Sequence, residues 1–373
     1  MTASVRGGLN PPLDSRWRSA WSLRVSPEGW IGWDLGGANL KAAQLDASGR
    51  VLRVAQVACP LWQGLDRLQA GIDQVVAQFG GGCHAHAVTM TGELADLFES
   101  RARGVEVLVA AMRERFAGEP IQIYAGRAGF VRPERAGALV PQVASANWAA
   151  TCALAASELG AGLAIDVGST TTDVLPFADG EMATWGETDQ DRLVHGELVY
   201  SGVARTPLMA VVRRVPFDGA WVPVMAEHFA TTADVYRLLR TLPAHADLLP
   251  SADGREKTPA ASAVRLARML GVDAGLADMG AWVAVAEYVA ECQLRGLLDA
   301  VACVLSRSDV PQDAPIVGAG VGRFLIRRLA ERLERPYVDF MSLLDSEWSG
   351  APDVSDCAPA AAVARLAAEV SLR

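Results

Sequence analysis

Two short stretches of the sequence carry polar residues of the kind that hold phosphate groups. IGWDLGGANLKAAQLD spans residues 31–46, and LAIDVGSTTTDVLPFADG spans residues 163–180. In each stretch an apolar run ends in an aspartate, a turn of small residues follows and a second apolar run leaves. Asp34 and Asp166 occupy the same place in the two copies. The repetition predicts a duplicated β-hairpin.

The two turns have the composition of a phosphate clamp. Glycine, serine and threonine let several main-chain N–H groups point into one concavity, which binds phosphate oxygens. The candidate phosphate-binding residues are Gly36, Gly37, Asn39 and Lys41 in the first copy, and Gly168, Ser169, Thr170, Thr171 and Thr172 in the second. Asp34 and Asp166 would repel phosphate but can hold Mg²⁺ or its waters, so they are the candidate metal ligands. One such hairpin alone is also compatible with a structural turn, and the second copy favours the clamp.

A third glycine-rich element, APIVGAGVGRFLIRRLAERLERPYVDF, lies at residues 314–340. It predicts a short strand that runs into Gly318, Gly320 and Gly322, and then a helix over about residues 324–334 whose N-terminus could face an anion. The stretch is also compatible with plain strand–helix packing, or with a dinucleotide site, because Asp339 follows about 20 residues after the glycines. Arg323 occupies the third glycine position of the dinucleotide fingerprint, which argues against the last alternative.

Glu93, Arg205 and Lys257 are further candidates for contact with a substrate. Glu93 follows a predicted strand, where it could act as a base, bind an ammonium group, or only stabilise the start of its own helix. Arg205 could grip phosphate with two hydrogen bonds or pair with a surface carboxylate. Lys257 precedes a helix predicted to begin with Thr258 as N-cap, and it is either a lid cation or a solvated loop lysine.

The histidines and cysteines do not predict a metal or redox centre. His84 and His86 are two residues apart in a predicted strand and share one face, but no third ligand lies nearby in the sequence. The six cysteines are scattered without a C-x-x-C pair, which indicates buried thiols in a reducing compartment.

Composition limits the class of protein. A chain of 373 residues is long enough for two domains that each bury a core. A net charge of −9 without a dense Lys/Arg cluster argues against nucleic acid as the partner, and no apolar run reaches the ~18 residues of a membrane span. Residues 1–28 lack the features of a secretory signal, so we expect a flexible extension and a cytoplasmic protein.

The remaining chain divides into two domains of mixed strands and helices. We expect an N-terminal domain over residues 29–160 and a C-terminal domain over residues 161–350. Helical spacing over residues 281–307 predicts a long packing helix. A last helix within residues 351–373 is expected to pack back on the N-terminal domain.

The two aspartate hairpins and the late glycine-rich element resemble the phosphate and adenosine motifs of the acetate kinase, sugar kinase, Hsp70 and actin superfamily. This resemblance implies an α/β fold with two duplicated ribonuclease-H-like domains around a central cleft.

A narrower resemblance covers about residues 31–333. It rests on the segments DLGGANLKAA, TMTGELADLF, SANWAATC, AIDVGSTTTDVLP, GELVYSGVARTP, EKTPAASAVRLARMLG and ECQLRGLLDA. Together they are similar to the hydantoinase/oxoprolinase-like proteins of methanogens and methylotrophs that are linked to one-carbon transfer, a family that resembles the methanofuran biosynthesis synthases. The resemblance implies that the phenol of (poly)γ-glutamyltyramine displaces diphosphate from (5-(aminomethyl)furan-3-yl)methyl diphosphate and forms an ether, without consumption of ATP.

For that reaction we expect Asp34 and Asp166 to hold Mg²⁺ at the diphosphate, and Asp166, Asp173 or Glu93 to take the phenol proton. A phenol with an ordinary pKa near 10 needs such a base at neutral pH. The late glycines would then hold the diphosphate or the aryl substrate instead of adenosine. The expected partners are small molecules, with neither nucleic acid nor membrane, and a homodimer is left open.

Two alternatives come from the same fold. One is an ATP-dependent small-molecule kinase or an oxoprolinase/hydantoinase-type enzyme, and the other is a binding module that has kept the cleft but lost its chemistry.

Overall fold

The computed structural model describes residues 28–80, 82 and 84–372. The expected N-terminal extension lies outside these residues, apart from its last member. Within the described residues, no helix combines the length and the apolar character that crossing a bilayer requires.

The first sheet contains the first predicted hairpin and has the order β3-β2-β1-β4-β5-β6. β1 and β2 pair antiparallel with Asp34 opposite Lys41, and β4 runs parallel to β1. β1 is buried along its whole length, which explains why the sequence is almost continuously apolar up to Asp34. The strands are β1 (Gly29–Leu35), β2 (Asn39–Asp46), β3 (Val51–Ala58), β4 (Ala85–Met90), β5 (Ile121–Tyr124) and β6 (Phe130–Val131).

The second sheet repeats this arrangement around the second predicted hairpin. Its order is β10-β8-β7-β13-β14, with β9 paired to β8. β7 and β8 pair antiparallel with Asp166 opposite Asp173, and β13 runs parallel to β7. The strands are β7 (Gly162–Val167), β8 (Thr172–Ala178), β9 (Glu181–Met182), β10 (Leu198–Val199), β13 (Ile316–Ala319) and β14 (Tyr337–Asp339), while β11 (Arg214–Phe217) and β12 (Ala220–Pro223) form a separate hairpin.

The two sheets have equivalent strand orders. An antiparallel meander in each sheet is followed by two parallel strands, so β1 corresponds to β7 and β4 to β13. Asp34 and Asp166 therefore lie at the carboxyl ends of equivalent central strands, where side chains from the strand ends meet a ligand in open α/β sheets. The predicted class, an α/β fold of two duplicated ribonuclease-H-like domains around a cleft, is confirmed.

The helices begin and end close to the sequence predictions. The predicted helix over residues 281–307 is α10, and the one over residues 324–334 is α11. Thr258 caps α9 as expected, because its hydroxyl accepts a hydrogen bond from the Ala261 N–H at 3.2 Å. The helices are α1 (Leu65–Phe79), α2 (Arg101–Arg115), α3 (Pro133–Ala136), α4 (Val140–Val143), α5 (Asn147–Leu159), α6 (Asp189–His195), α7 (Leu208–Val211), α8 (Thr232–Leu238), α9 (Pro259–Met269), α10 (Met279–Leu305), α11 (Arg323–Arg332) and α12 (Ala358–Leu372).

Two alanine-rich helices lie between the sheets. α12 packs on β1, β2 and β4, whereas α5 packs on β7, β8 and β9, and the two helices pack against each other. Small side chains allow this close approach, so one continuous core joins both sheets. We call the first sheet with α1–α4 the first lobe, and the second sheet with α6–α11 the second lobe.

Candidate functional site

The turns of the two predicted hairpins face each other across a cavity of about 630 Å³. The first turn lies between β1 and β2, and the second lies between β7 and β8. Most of the predicted phosphate-binding residues line this cavity. Its walls are formed by Asp34, Gly36, Gly37, Ala38, Asn39, Lys41, Trp62, Thr91, Leu94, Ala95, Asp96, Ser145, Asn147, Asp166, Gly168, Ser169, Thr170, Thr171, Asp173, Asp189, Arg192, Leu198, Tyr200, Arg205 and Pro359.

Carboxylates from both lobes converge on one lysine at the base of the cavity. Burial raises the pKa of Asp34 to about 6, against the charge of Lys41 and a hydrogen bond from Asn147. Burial raises the pKa of Asp166 to about 7, and the charges of Asp173 and Asp34 add to this effect while Lys41 opposes it. Burial by itself would lower the pKa of Lys41, but the surrounding carboxylates raise it, so the lysine is cationic. The two aspartates therefore bind protons more tightly than isolated aspartates do, and perturbed carboxyl groups of this kind are common at functional sites.

The two turns offer main-chain N–H groups to the cavity. The N–H groups of Gly37 and Ala38 in the first turn have no acceptor within the described part of the chain, and those of Ser169, Thr170 and Thr171 in the second turn have none either. Buried or half-buried N–H groups are normally paired, so these five are placed to receive a ligand with several acceptor oxygens. Unpaired main-chain N–H groups in a turn of small residues are the feature that anion-binding main-chain sites share.

Gly202 supports the second turn from below. A Cβ atom at this position would lie 2.5 Å from main-chain atoms of Ser169 and Thr170, so only glycine allows this approach. The carbonyl groups of Gly168 and Ser169 accept hydrogen bonds from the segment that follows, including one from the Arg205 N–H at 2.8 Å. The segment GELVYSGVARTP therefore fixes the shape of the turn.

The Arg205 side chain lies at the mouth of the cavity. Its guanidinium group is 5.3 Å from the centre of the Trp62 ring and donates a long hydrogen bond of 3.4 Å to the Thr170 hydroxyl. No ion pair of Arg205 occurs among the residues that the structure describes. Of the two alternatives from the sequence, the geometry favours an arginine that is available to an anion over one that is paired at the surface.

Asp173 is held by a buried arginine. Arg192 donates a hydrogen bond of 2.6 Å to Asp173 and lies 4.2 Å from the centre of the Trp148 ring. Burial raises the pKa of Asp173 even against this arginine. The Asp173 carboxylate lines the cavity, but one of its oxygens accepts a hydrogen bond from Arg192. Asp173 is therefore less available as the base that the sequence predicted.

Glu93 lies behind the cavity wall and does not line it. The Ser145 hydroxyl, which does line the cavity, is 2.8 Å from Glu93 Oε1. Burial raises the pKa of Glu93 to about 7, and the hydrogen bond from Ser145 opposes this shift. On its other side Ser145 is 3.1 Å from Asp189, which is paired with Arg101 at 2.6 Å.

The three late glycines, for which the sequence predicted a ligand role, do not line this cavity and pack strands and helices together. A Cβ atom at Gly318 would lie 2.6 Å from the Tyr337 ring, and one at Gly322 would overlap Val167. A Cβ atom at Gly320, whose φ is +80°, would overlap Asp166 Oδ1 and the Val167 carbonyl oxygen. The plain strand–helix packing that the sequence left open therefore describes this element.

Lys257 and Thr172, two further residues predicted to bind phosphate or substrate, also lie outside the lining of this cavity. Lys257 donates a hydrogen bond of 2.7 Å to the Asp247 carbonyl oxygen and pairs with the Asp247 carboxylate at 3.4 Å. Thr172 is fully buried, and its hydroxyl donates to the Ser201 carbonyl oxygen at 2.6 Å. Both side chains are satisfied by structural partners.

His86 in β4 and His84 just before it have structural partners too. His86 Nδ1 accepts a hydrogen bond from the Trp33 indole at 3.0 Å, and His86 Nε2 is 3.2 Å from the Glu119 carboxylate. His84 is bonded to Gln44 at 3.1 Å. These contacts fill both ring positions of His86 without a metal.

The donor atoms of the cavity suit a Mg²⁺ ion whose other ligands are waters and phosphate oxygens. Asp34 Oδ1 and Asn39 Oδ1 are buried oxygens without a hydrogen-bond partner in the described chain. Among the same residues, no group of three histidine, cysteine or carboxylate side chains is arranged to hold an ion. Mg²⁺ is commonly held by one or two carboxylates together with waters and phosphate oxygens, which agrees with this donor set.

Several cavity residues were not predicted from the sequence. Ser145 and Asn147 come from the segment SANWAATC at the start of α5, and Asp189 and Arg192 come from α6. Each of these residue types is common outside functional sites, and no spacing in the sequence relates them to Asp34 or Asp166. A polar serine and asparagine before an alanine-rich helix was the only local signal.

Comparisons with known proteins identify relatives of this chain. A chain from Methanocaldococcus jannaschii named (4-{4-[2-(gamma-L-glutamylamino)ethyl]phenoxymethyl}furan-2-yl)methanamine synthase is 27% identical over 337 residues, or 90% of this chain and 96% of that one. A chain of the same name from Methanococcus vannielii is 34% identical over 106 residues, or 28% of this chain and 47% of that one.

The fold also matches a solved structure of larger size. The nucleotide-free structure of acetone carboxylase superposes with a TM-score of 0.55 at 11% identity, and the match covers 91% of this chain and 70% of that one. The hydantoinase/oxoprolinase family profile matches residues 84–369, most of the chain and all of the second lobe. The chain therefore belongs to the hydantoinase/oxoprolinase family.

Proposed function

We propose that this protein is a transferase of methanofuran or analogue biosynthesis that joins an aminomethylfuran to a phenol. The phenol oxygen of (poly)γ-glutamyltyramine attacks the exocyclic carbon of (5-(aminomethyl)furan-3-yl)methyl diphosphate. A carbon–oxygen ether bond forms, and the bond to the diphosphate oxygen breaks with its electron pair on the leaving group. The name of the two methanogen relatives describes a phenoxymethyl ether of this kind, which supports the proposal.

The observation that carries the proposal is the pair of facing N–H-lined turns with cations beside them. A diphosphate leaving group gains negative charge as its bond to carbon breaks, and fixed N–H groups and cations stabilise that charge without reorganisation. The turns at Gly37 and at Ser169–Thr171 supply the N–H groups, and Lys41 and Arg205 supply positive charge. When bound, Mg²⁺ at Asp34 and Asp166 would neutralise further charge on the diphosphate.

The carboxylates of the cavity suit the two other requirements of the reaction, stabilisation of the furanylmethyl carbon and removal of the phenol proton. Loss of diphosphate leaves positive character on the furanylmethyl carbon, which the electron-rich ring shares and nearby anionic oxygens stabilise. The aromatic side chains at the mouth, Trp62 and Tyr200, are 39% and 61% exposed, so they offer flat surfaces for the rings of the two substrates. A carboxylate of the site then accepts the phenol proton.

The test is a mass-spectrometric assay of purified protein with Mg²⁺ and both substrates, run with and without ATP. We expect ether and diphosphate without ATP, and a loss of about 100-fold or more in rate for Asp34→Asn and for Asp166→Asn. Asp299→Asn on the exposed face of α10 is the matched control, because it removes a carboxylate far from the cavity.

The assay also separates the proposal from its rival. Absence of ether in every reaction, together with hydrolysis of ATP or a phosphorylated product, would reject the synthase and favour an ATP-dependent enzyme of the same fold. Ether formation that Asp34→Asn and Asp166→Asn leave unchanged would keep the reaction but reject the assigned site.

A further inference from the structure

The Ser145 hydroxyl is the polar group that connects the cavity to Glu93. Ser145 lines the cavity, whereas Glu93 is 1% exposed and lies behind it. Ser145 Oγ is 2.8 Å from Glu93 Oε1 and 3.1 Å from Asp189 Oδ2. A hydroxyl can donate one proton and accept another at the same time, so it can pass a proton between two partners that do not touch.

The backbone of Ser145 is held in a conformation that serine rarely adopts. Its φ is +52°, in the left-handed region that favours glycine. Strained positions of this kind are concentrated at functional sites, where the surrounding structure holds them in place. A glycine would be relaxed here, but it would leave Glu93 without a connection to the cavity.

Glu93 is fixed in a pocket that leaves one of its oxygens unused. Glu93 Oε2 is buried and has no hydrogen-bond partner in the described chain. The Gly104 main chain in α2 packs directly on Glu93, since a Cβ atom there would lie 2.7 Å from Glu93 Cα. The carboxyl group therefore has little freedom to move into the cavity itself, and Ser145 is its route to a substrate.

Four carboxylates that line the cavity lie beside cations. Arg192 holds Asp173 at 2.6 Å. Asp34 and Asp166 surround Lys41, and each is needed as an anion if a metal ion is to bind. Asp189, the second neighbour of Ser145, is paired with Arg101 at 2.6 Å. Glu93 is the remaining carboxyl group among the three bases considered from the sequence.

We propose that Ser145 relays the phenol proton to Glu93, an inference that rests on the proposed ether synthesis. As the phenol oxygen attacks the furanylmethyl carbon, its proton moves to Ser145 Oγ while the Ser145 proton moves to Glu93. The electron pair of the phenol O–H bond enters the new ether bond, and diphosphate leaves with the pair of the old one. Glu93 ends the step protonated and returns the proton through Ser145 when the products leave.

The charged groups around Glu93 suit this role. Burial has the largest influence on Glu93 and raises its pKa to about 7. Asp189 also raises this pKa, whereas Arg101 lowers it. A general base is most effective when its pKa lies near the working pH.

The test compares the rates of Glu93→Gln and Ser145→Gly on two substrates. One is γ-glutamyltyramine, and the other carries fluorine on both ring positions beside the hydroxyl, so that its phenol is more acidic. With the first substrate we expect kcat to fall about 100-fold in both variants with little change in KM. With the fluorinated substrate we expect both deficits to shrink to less than about 10-fold, because a more acidic phenol needs less help from a base.

The controls separate a relay from a structural role. Ser145→Gly removes the hydroxyl and relieves the backbone, and Ser262→Ala removes another buried serine hydroxyl that donates to a carboxylate, outside the cavity. Any deficit of Ser262→Ala is expected to be the same for both substrates. The wild-type rate should also fall below about pH 7. Glu93→Gln should reduce this dependence to the part that comes from Asp34 and Asp166, whose pKa values of about 6 and about 7 lie in the same range.

Each outcome bears on one of the two proposals. Deficits in Glu93→Gln and Ser145→Gly that are equal for both phenols, or full activity of Ser145→Gly on the ordinary phenol, would overturn the relay while leaving the synthase intact. If the wild-type protein forms no ether from either phenol, the synthase itself falls, and the relay with it.

Discussion

Lys41 is surrounded by carboxylates that its single charge does not fully compensate. The pKa values of Asp34 and Asp166 are raised to about 6 and about 7, although Lys41 lowers both. In the free protein these groups therefore bind protons near neutral pH. A cation at the cavity would replace those protons, so the site is destabilised without its ligand, as is common at functional sites.

This arrangement predicts how stability depends on pH. A carboxyl group whose pKa is higher in the folded protein stabilises the fold at low pH, and that contribution is lost as pH rises through the folded value. We compare the double variant Asp34→Asn/Asp166→Asn with wild type. As pH rises from 5 to 8, the difference between their free energies of unfolding should shift by about 2 kcal/mol in favour of the variant. Each unit of pKa shift is worth about 1.4 kcal/mol, and coupled groups share the effect. Urea unfolding at the two pH values, without Mg²⁺, measures the difference.

Titrating groups that are not coupled to the two aspartates cancel in this comparison because both proteins contain them. Among them are His86, whose pKa burial lowers, and Glu93, whose pKa burial raises. Asp299→Asn should follow the wild-type curve at both pH values. A stability difference between wild type and the double variant that is the same at pH 5 and pH 8 would show that the two aspartates carry no burial penalty.

At the scale of elements, β13 and α11 fix the position of Asp166. Gly320 lies immediately after β13, and its main chain touches the Asp166 carboxylate. The N–H of Gly320 donates to the Ser355 carbonyl oxygen at 2.8 Å, and the N–H of Gly322 donates to the Val167 carbonyl oxygen at 2.8 Å. The turn is therefore bonded to the strand that carries Asp166 and to the segment before α12.

Replacement of Gly320 by alanine should affect both stability and activity. The new Cβ atom would overlap Asp166 Oδ1, and φ of +80° is unfavourable for alanine, so we expect a loss of about 3 kcal/mol and a displaced carboxylate. Gly160 has nearly the same φ, +77°, with open space around its Cα atom. Gly160→Ala should therefore cost only about 1 kcal/mol and leave ether formation unchanged.

Urea unfolding and the ether assay on both alanine variants separate the two effects. The prediction is contradicted if Gly320→Ala and Gly160→Ala lose the same stability and Gly320→Ala keeps full activity. The contact between Gly320 and the Asp166 carboxylate would then have no role in activity.

The sequence predicted the hairpins because they repeat. Asp34 and Asp166 recur in the same context, and the strand patterns around them are strong enough to predict both hairpins and the fold class. The register adds what the pattern does not contain, namely that Lys41 and Asp173 stand opposite the two aspartates.

The rest of the site depends on contacts between distant segments. Ser145 and Asn147 reach the cavity only because α5 packs on the second sheet, and no local pattern contains that information. The late glycines illustrate the opposite difficulty. The sequence does not distinguish a glycine that allows close packing within the protein from a glycine that allows a ligand to approach. Gly318 and Gly322 allow close packing.

At the scale of the whole molecule, α5 and α12 unite the two lobes. One core includes Ala43 and Ala87 of the first sheet, Leu175 and Val317 of the second, and both helices. A ligand that contacts both turns therefore connects two lobes that are already joined by a common hydrophobic core. The cross-lobe pair of Arg101 and Asp189 adds a contact at the side of the cavity.

The shared core predicts that damage in the first lobe spreads to the second. Gly32 in β1 faces α12, and a Cβ atom there would overlap the Ala360 carbonyl oxygen and lie 2.8 Å from Ala364 Cβ. We expect Gly32→Ala to cost about 1–3 kcal/mol, because α12 must move away from β1 and its contact with α5 moves with it. Hydrogen exchange of the main-chain amides should become faster in β1 and β2 and also in β7 and β8.

Gly275 provides the matched control for this last prediction. It lies in the loop before α10, its φ is not in the left-handed region and no atom lies within 4 Å of a Cβ placed there. Gly275→Ala should leave exchange in both sheets at the wild-type rate. Faster exchange confined to β1 and β2 in Gly32→Ala would mean that the lobes unfold independently, and that the contact between α5 and α12 does not transmit the disturbance. Faster exchange in both hairpins would mean that the two halves of the cavity are stabilised as one unit.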